Sequence, residues 1–218
     1  MERHFHDNLE ELKQLLLKMG LNVQDSIHRA VQALVLFDES KADEVFQNEN
    51  LINQAEIEID KKGHRLLALE QPVAIDLRRL TMFLKMNAVL ERMGDHAVNI
   101  AGRAKHIISD KECLQDIPMD AMAEASKKMV KLSLESFVKE DADLAREVLE
   151  YDDVVDEFNR NIRNQIKTLM ESDSHNIGSG IHLIMAAYDL ERIGDLASNI
   201  AEDVIYIQQG KEVRHHTK

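Results

Sequence analysis

Apolar residues recur along this chain at intervals of three and four positions almost from end to end, the spacing that lines one face of a helix. Breaks in the recurrence predict six long helices. The first runs from about Phe5 to Phe37, carrying Gly20 within it, and Asp38-Glu39-Ser40 reads as a turn. The second runs from about Lys41 to Leu69, with Val45, Ile52, Ala55, Ile59 and Leu66 on one stripe. Pro72 punctuates, because proline is tolerated in the first turn of a helix but not in its interior, and the third helix runs from about Ile75 to Ile108. A fourth is expected from Met119 to Lys139, a fifth from Ala142 to Met170 and a sixth from Ile177 to Gln209. No stretch alternates with a period of two between turn residues, so the expected class is all-α.

The chain repeats itself. Leu90-Glu-Arg-Met-Gly-Asp-His-Ala-Val-Asn-Ile-Ala101 returns 100 residues later as Leu190-Glu-Arg-Ile-Gly-Asp-Leu-Ala-Ser-Asn-Ile-Ala201, with nine of twelve positions identical. Compositional bias can match Leu or Ala by accident, but not Glu, Arg, Gly, Asp and Asn in the same order. Duplication turns six helices into two three-helix bundles related by internal pseudo-symmetry. The halves are expected at residues 1–109 and 118–209, joined by the polar run Ser109 to Pro118, with 210–218 as a frayed tail.

Composition narrows the function. Across 218 residues there are only 2 Pro and 8 Gly, as suits a helical chain. A formal net charge of −13 argues against nucleic acid and against direct binding to an anionic membrane surface. No apolar run is long enough to span a bilayer, and the amino-terminal residues lack the apolar core of a signal peptide. The single Cys113 fits a reducing compartment. A cytoplasmic protein is expected.

Candidate chemistry lies on helix flanks. Leu80, Phe83, Leu84, Leu90, Gly94, Ala97 and Ala101 form the stripe of the third helix, and Glu91 and Asp95 border it, with Asn99 one turn on. On the fifth helix Val148, Tyr151, Val155, Phe158, Ile162 and Ile166 form the stripe, bordered by Asp152 and Asp156. Carboxylates at i and i+4 repel, by roughly 0.2–0.5 kcal/mol on an isolated helix, and more where solvent screening is weak. A hard cation with several oxygen ligands would offset that repulsion. In the C-terminal half Asp152, Asp156, Glu191 and Asp195 are the candidate ligands, with Asn199 and Asp203 nearby. In the N-terminal half they are Glu49, Asn53, Glu91 and Asp95, with Glu56, Asp60 and Asn99 as helpers. The competing reading is a solvated acidic face neutralised by Arg92, Arg192, Arg78 or Lys85. Gly94 and Gly194, in mid-helix, suggest close approach of neighbouring helices. His96, replaced by Leu196 in the repeat, is not expected to be an essential ligand, His182 reads as a boundary histidine, and His215 and His216 as tail residues. A ferritin-like di-iron enzyme would need paired Glu-x-x-His motifs. The chain has one, Glu212 to His215. No nucleophile stands with a base and an oxyanion site, so catalytic turnover is not expected.

The two copies of the twelve-residue segment, together with Gln71-Pro-Val-Ala-Ile-Asp-Leu-Arg78 and the Asp152 to Asp156 segment, resemble the PhoU family of phosphate-uptake regulators over nearly the whole chain. That resemblance implies multinuclear iron or zinc on the acidic pairs, with magnesium or manganese as further candidates among divalent or trivalent ions. It implies dimers, and a regulator that restrains phosphate uptake and silences phosphate-starvation signalling when phosphate is plentiful. The implied partners are a phosphate-sensing histidine kinase and the ATPase of a phosphate ABC transporter, so that any association with the membrane would be through them. Asn53 departs from the acidic pattern of the first site. A helical adaptor whose acidic flanks bind protein without metal is the alternative reading.

Overall fold

The computed structural model describes residues 2–107 and 117–209. Six α-helices fill them: α1 (Glu2–Leu36), α2 (Glu39–Glu70), α3 (Ala74–Ile107), α4 (Met119–Lys139), α5 (Ala142–Ser172) and α6 (Ile177–Gln209). Ile108, the junction through Asp116 with Cys113, and the tail from Gly210 with His215 and His216 lie outside the described residues. Helix ends follow the turn chemistry. Asp38 caps α2 by accepting from the Ser40 N–H, and Asp141 caps α5 by accepting from Asp143 and Leu144. In each half the residue before that aspartate, Phe37 or Glu140, has left-handed φ, so one turn design joins the first two helices of both repeats. One detail differs from the sequence expectation. A short 3₁₀ turn, Ser174–Asn176, precedes α6, because the Asp173 side chain accepts from the His175 N–H and fixes that turn.

Helices α1, α2 and α3 pack against one another, as do α4, α5 and α6, which makes two three-helix bundles. The bundles meet where α3 lies against α6 and α1 against α4, leaving α2 and α5 on the outer sides of this seam. Most of the expected stripe residues are buried: Val45, Ile52, Ile59 and Leu66 on α2, Leu80, Phe83, Leu90, Ala97 and Ala101 on α3, and Val148, Val155, Ile162 and Ile166 on α5. Ala55, Tyr151 and Phe158 pack on the core only in part. On α4 the buried hydroxyls of Ser126, Ser133 and Ser136 donate to carbonyls of their own helix, satisfying polar groups that would otherwise be costly inside.

The mid-helix glycines mark close approaches. A Cβ on Gly94 would meet Ile52 of α2 at 3.2 Å, and one on Gly194 would meet Met129 of α4 at 3.3 Å and Val155 of α5 at 3.5 Å. Gly20 does the same at the seam, where Leu134 of α4 lies over it.

Candidate functional site

Close packing at Gly94 and Gly194 brings the acidic flanks of α2 and α3, and of α5 and α6, alongside each other. In the C-terminal half Asp152 of α5 accepts a hydrogen bond from the Ser198 hydroxyl of α6 at 3.1 Å. Burial pushes its carboxyl above the usual aspartate range, the Ser198 bond pulls it back in part, and the charges of Asp156, Asp195 and Asp153 raise it further. Glu191 is raised by burial and by Asp195 and Asp156, against lowering by a hydrogen bond from Asn159 and by Arg163. The four predicted ligands of this half therefore influence one another electrostatically across two helices.

The N-terminal half is looser. Burial raises Glu91, and Asp95 and Glu56 raise it further while Arg92 lowers it. The α2 carboxylate that acts on Glu91 is thus Glu56, expected only as a helper. Glu49 is half-buried and Asn53 exposed on α2. Asp60 faces the exposed His64 of its own helix at 3.2 Å. Asn99 and Asn199 are exposed at equivalent positions. Asp203 is engaged at the seam, where it accepts the Lys85 ammonium of α3 at 2.6 Å. Arg192 reaches Asp195 at 2.5 Å within α6, so part of the competing reading, neutralisation by a neighbouring arginine, holds at that position.

Two site residues escaped the sequence reading, Asn159 and Ser198. The carboxylates of α2 map onto α5 with an offset of 103 residues, so Asn159 is the counterpart of Glu56. That offset was the signal available. Ser198, replaced by Val98 in the other half, carried none.

The donor chemistry suits a hard cation, since the groups are oxygen ligands that share negative charge and lie partly out of water. In the arrangement described, no three His, Cys, Asp or Glu side chains among the described residues converge as a metal-holding group.

A second polar cluster ties the halves together. Asp189 of α6, only 2% exposed, accepts from Nε of Arg103 and Nδ1 of His96, both on α3 and both at 2.9 Å. His96 is therefore a seam residue, which explains why its repeat counterpart can be Leu196. Beside it His182 stacks on His106 at 4.6 Å between ring centroids. Burial, His106 and Arg103 all push the His182 imidazole below its ordinary value.

The fold and site define a class: duplicated three-helix proteins with paired acidic helix flanks on each repeat and a polar seam between. The PhoU domain family model matches residues 16–104 and 119–204. A Pseudomonas aeruginosa protein named phosphate-specific transport system accessory protein PhoU homolog is 37% identical over 216 residues, covering 99% of this chain and 89% of its own. A Clostridium acetobutylicum protein of the same name is 36% identical, covering 96% of each. The crystal structure of PhoU from Pseudomonas aeruginosa superposes with a TM-score of 0.91 at 37% identity, over 95% of this chain and all of that one. The phosphate transport system regulatory protein PhoU from Streptococcus pneumoniae gives 0.89 at 28% identity, over 97% of this chain and all of its own. The chain belongs to the PhoU family. Among the described residues no helix is long and apolar enough to cross a membrane.

Proposed function

We propose that this protein is a metal-binding regulator of phosphate homeostasis, restraining phosphate uptake and phosphate-starvation signalling when phosphate is plentiful. The observation that carries the regulatory half is the match along nearly the entire chain to proteins named as accessory to phosphate-specific transport. The observation behind the metal half is the mutual repulsion of Asp152, Asp156, Glu191 and Asp195, partly desolvated on two touching helices. Iron or zinc held there would neutralise the cluster and keep α5 and α6 in register. In the N-terminal half Glu56, Glu91 and Asp95 would hold a weaker site, helped by Glu49 and Asn53.

The protein acts in the cytoplasm as a homodimer and catalyses nothing. A regulator of this kind works by binding one state of its partner better than another. Its partners are the phosphate-sensing histidine kinase and the transporter ATPase, met through an acidic surface that carries much of the −13 charge. Deleting the gene should derepress phosphate-starvation genes in phosphate-rich medium, and a deletion strain with normal repression and normal uptake would remove the regulatory reading. The metal-free adaptor is the second reading, favoured by the Arg192–Asp195 pair and by the lack of three converging ligands among the described residues.

A further inference from the structure

The segment Gln71 to Arg78 is set apart by the sequence and takes no part in the acidic flanks. Its conformation explains what it does locally. Gln71 closes α2 in the left-handed region, at φ 46°, and Ala74 opens α3 with φ 50°. With Pro72 between them, this turn delivers Arg78 about one helical turn into α3. From there Arg78, Thr81 and Lys85, spaced i, i+3 and i+7, fall on one stripe of the helix.

That stripe faces the last turns of α6. Arg78, Thr81, Met82 and Lys85 share a cavity of about 180 Å³ with Asp203 and Tyr206, where the two halves meet. An adjoining smaller cavity shares Met82 and adds Lys13, Arg79 and Glu140. The charge here runs against the rest of the molecule. Lys13 donates to a neutral carbonyl, that of Val138, at 2.9 Å. Arg79 meets Glu140 at 3.0 Å, yet its buried Nε has no acceptor among the described residues. Lys85 is matched by Asp203. Arg78 is exposed and makes no ion pair among the described residues. The larger cavity thus sets Arg78 and Lys85 against Asp203, and the adjoining one sets Lys13 and Arg79 against Glu140, on a chain of net charge −13.

We infer that this inter-half cleft binds a compact tetrahedral oxyanion, inorganic phosphate or the phosphoryl group of a phosphorylated ligand, between Arg78, Thr81 and Lys85. A guanidinium fork with an ammonium beside it matches the oxygens of such an anion, and the Thr81 hydroxyl, which donates to the Leu77 and Arg78 carbonyls of its own helix at 2.9 Å, would turn from them to reach it. Size points the same way. Pockets for drug-sized ligands and cofactors run to roughly 300–1,000 Å³, whereas 180 Å³ is about six water volumes, enough for the anion and a few waters. Asp203 is the built-in competitor: it holds Lys85 when the anion is absent and gives up that contact when it binds. Because the cleft is lined by α3 from one half and α6 from the other, occupancy would bias the angle between the halves. Its meaning as a phosphate signal rests on the regulatory reading above, but the binding itself does not.

The test is titration of inorganic phosphate, and separately of a phosphoserine peptide, into the untagged full-length protein after washing with a chelator, followed by backbone NMR shifts. Saturable shifts should centre on Arg78, Thr81, Lys85 and Asp203. Arg78→Ala with Lys85→Ala should weaken binding at least tenfold with helix content unchanged, and Asp203→Asn should tighten it severalfold by freeing Lys85. Saturation by phosphate identifies the free anion as the ligand, and saturation by the peptide alone identifies a phosphorylated partner. Either keeps the site. No saturable binding of either probe, or equal affinity in the double variant, overturns it. Either result leaves the metal content of the acidic flanks, and so the metal reading, untouched.

Discussion

At Asp152 burial and three neighbouring carboxylates act in one direction, and only the Ser198 hydroxyl acts against them. The sign of the consequence follows from linkage. The folded state holds this proton to higher pH than the unfolded chain, whose aspartate titrates at about 3.9. Between that value and the raised folded value the native state binds more protons, so stability falls as pH rises through the window. Glu91 and Glu191, raised by burial and like charge, add to the same trend. His182, lowered by burial and its neighbours, runs the other way below its ordinary value of 6.5. Comparing variants isolates the carboxylate: metal-free Asp152→Asn should be more stable than metal-free wild type at pH 7 and equal to it near pH 3. Removing one like-charged pair contributes roughly 0.2–0.5 kcal/mol, measurable as a shift in urea midpoint. A metal-free variant less stable than wild type at pH 7 would contradict this. At Ala74 the positive φ is a strain that a Cβ makes worse. Ala74→Gly should therefore stabilise the fold by about 1 kcal/mol, read by thermal denaturation.

Among the elements, α3 carries both a glycine that must stay and one that need not. The Cβ of a side chain at Gly94 would press on the branched Ile52 of α2, while at Gly102 it would meet nothing within 4 Å. Gly102→Ala should gain about 1 kcal/mol of helix propensity, whereas Gly94→Val should lose roughly 1–3 kcal/mol by overpacking. Equal stability changes at the two positions would show that Gly94 is not a packing residue. The helices themselves were legible because their apolar periodicity is uninterrupted, and all six begin and end within a few residues of expectation. The duplicated segment likewise gave Glu91, Asp95, Glu191 and Asp195 their place on matching helix flanks. Which α2 carboxylate would act on Glu91 was not legible. Glu49 and Asn53 align with Asp152 and Asp156 at an offset of 103 residues, but alignment gives only correspondence, and it pairs Glu56 with the neutral Asn159. Ser198, which stands opposite Val98 in the repeat, carries no periodic or charge signal at all.

In the whole molecule the seam is what the sequence hid. Asp189 looks like a surface residue in the pattern, yet it is buried and held by Arg103 and His96 of the other half. Nothing local records which faces of α3 and α6 will meet, because that contact joins positions nearly a hundred residues apart. Arg103→Ala would leave a buried carboxylate with the His96 Nδ1 contact as its remaining hydrogen bond, and removing one member of such a pair costs about 3–5 kcal/mol. Chemical denaturation should show that loss, and an unchanged midpoint would mean the halves do not depend on this clasp. The acidic pairs lie on the α2–α3 and α5–α6 flanks, one set in each half, so a change in one set should leave the other intact. That independence can be measured directly. Metal stoichiometry of untagged wild-type protein should be compared by elemental analysis with the double variant Asp152→Asn, Asp156→Asn. Metal is expected in both halves of the wild type, with loss of the C-terminal share alone in the variant. Metal content that is unchanged in the variant, or absent from the wild type, would contradict it.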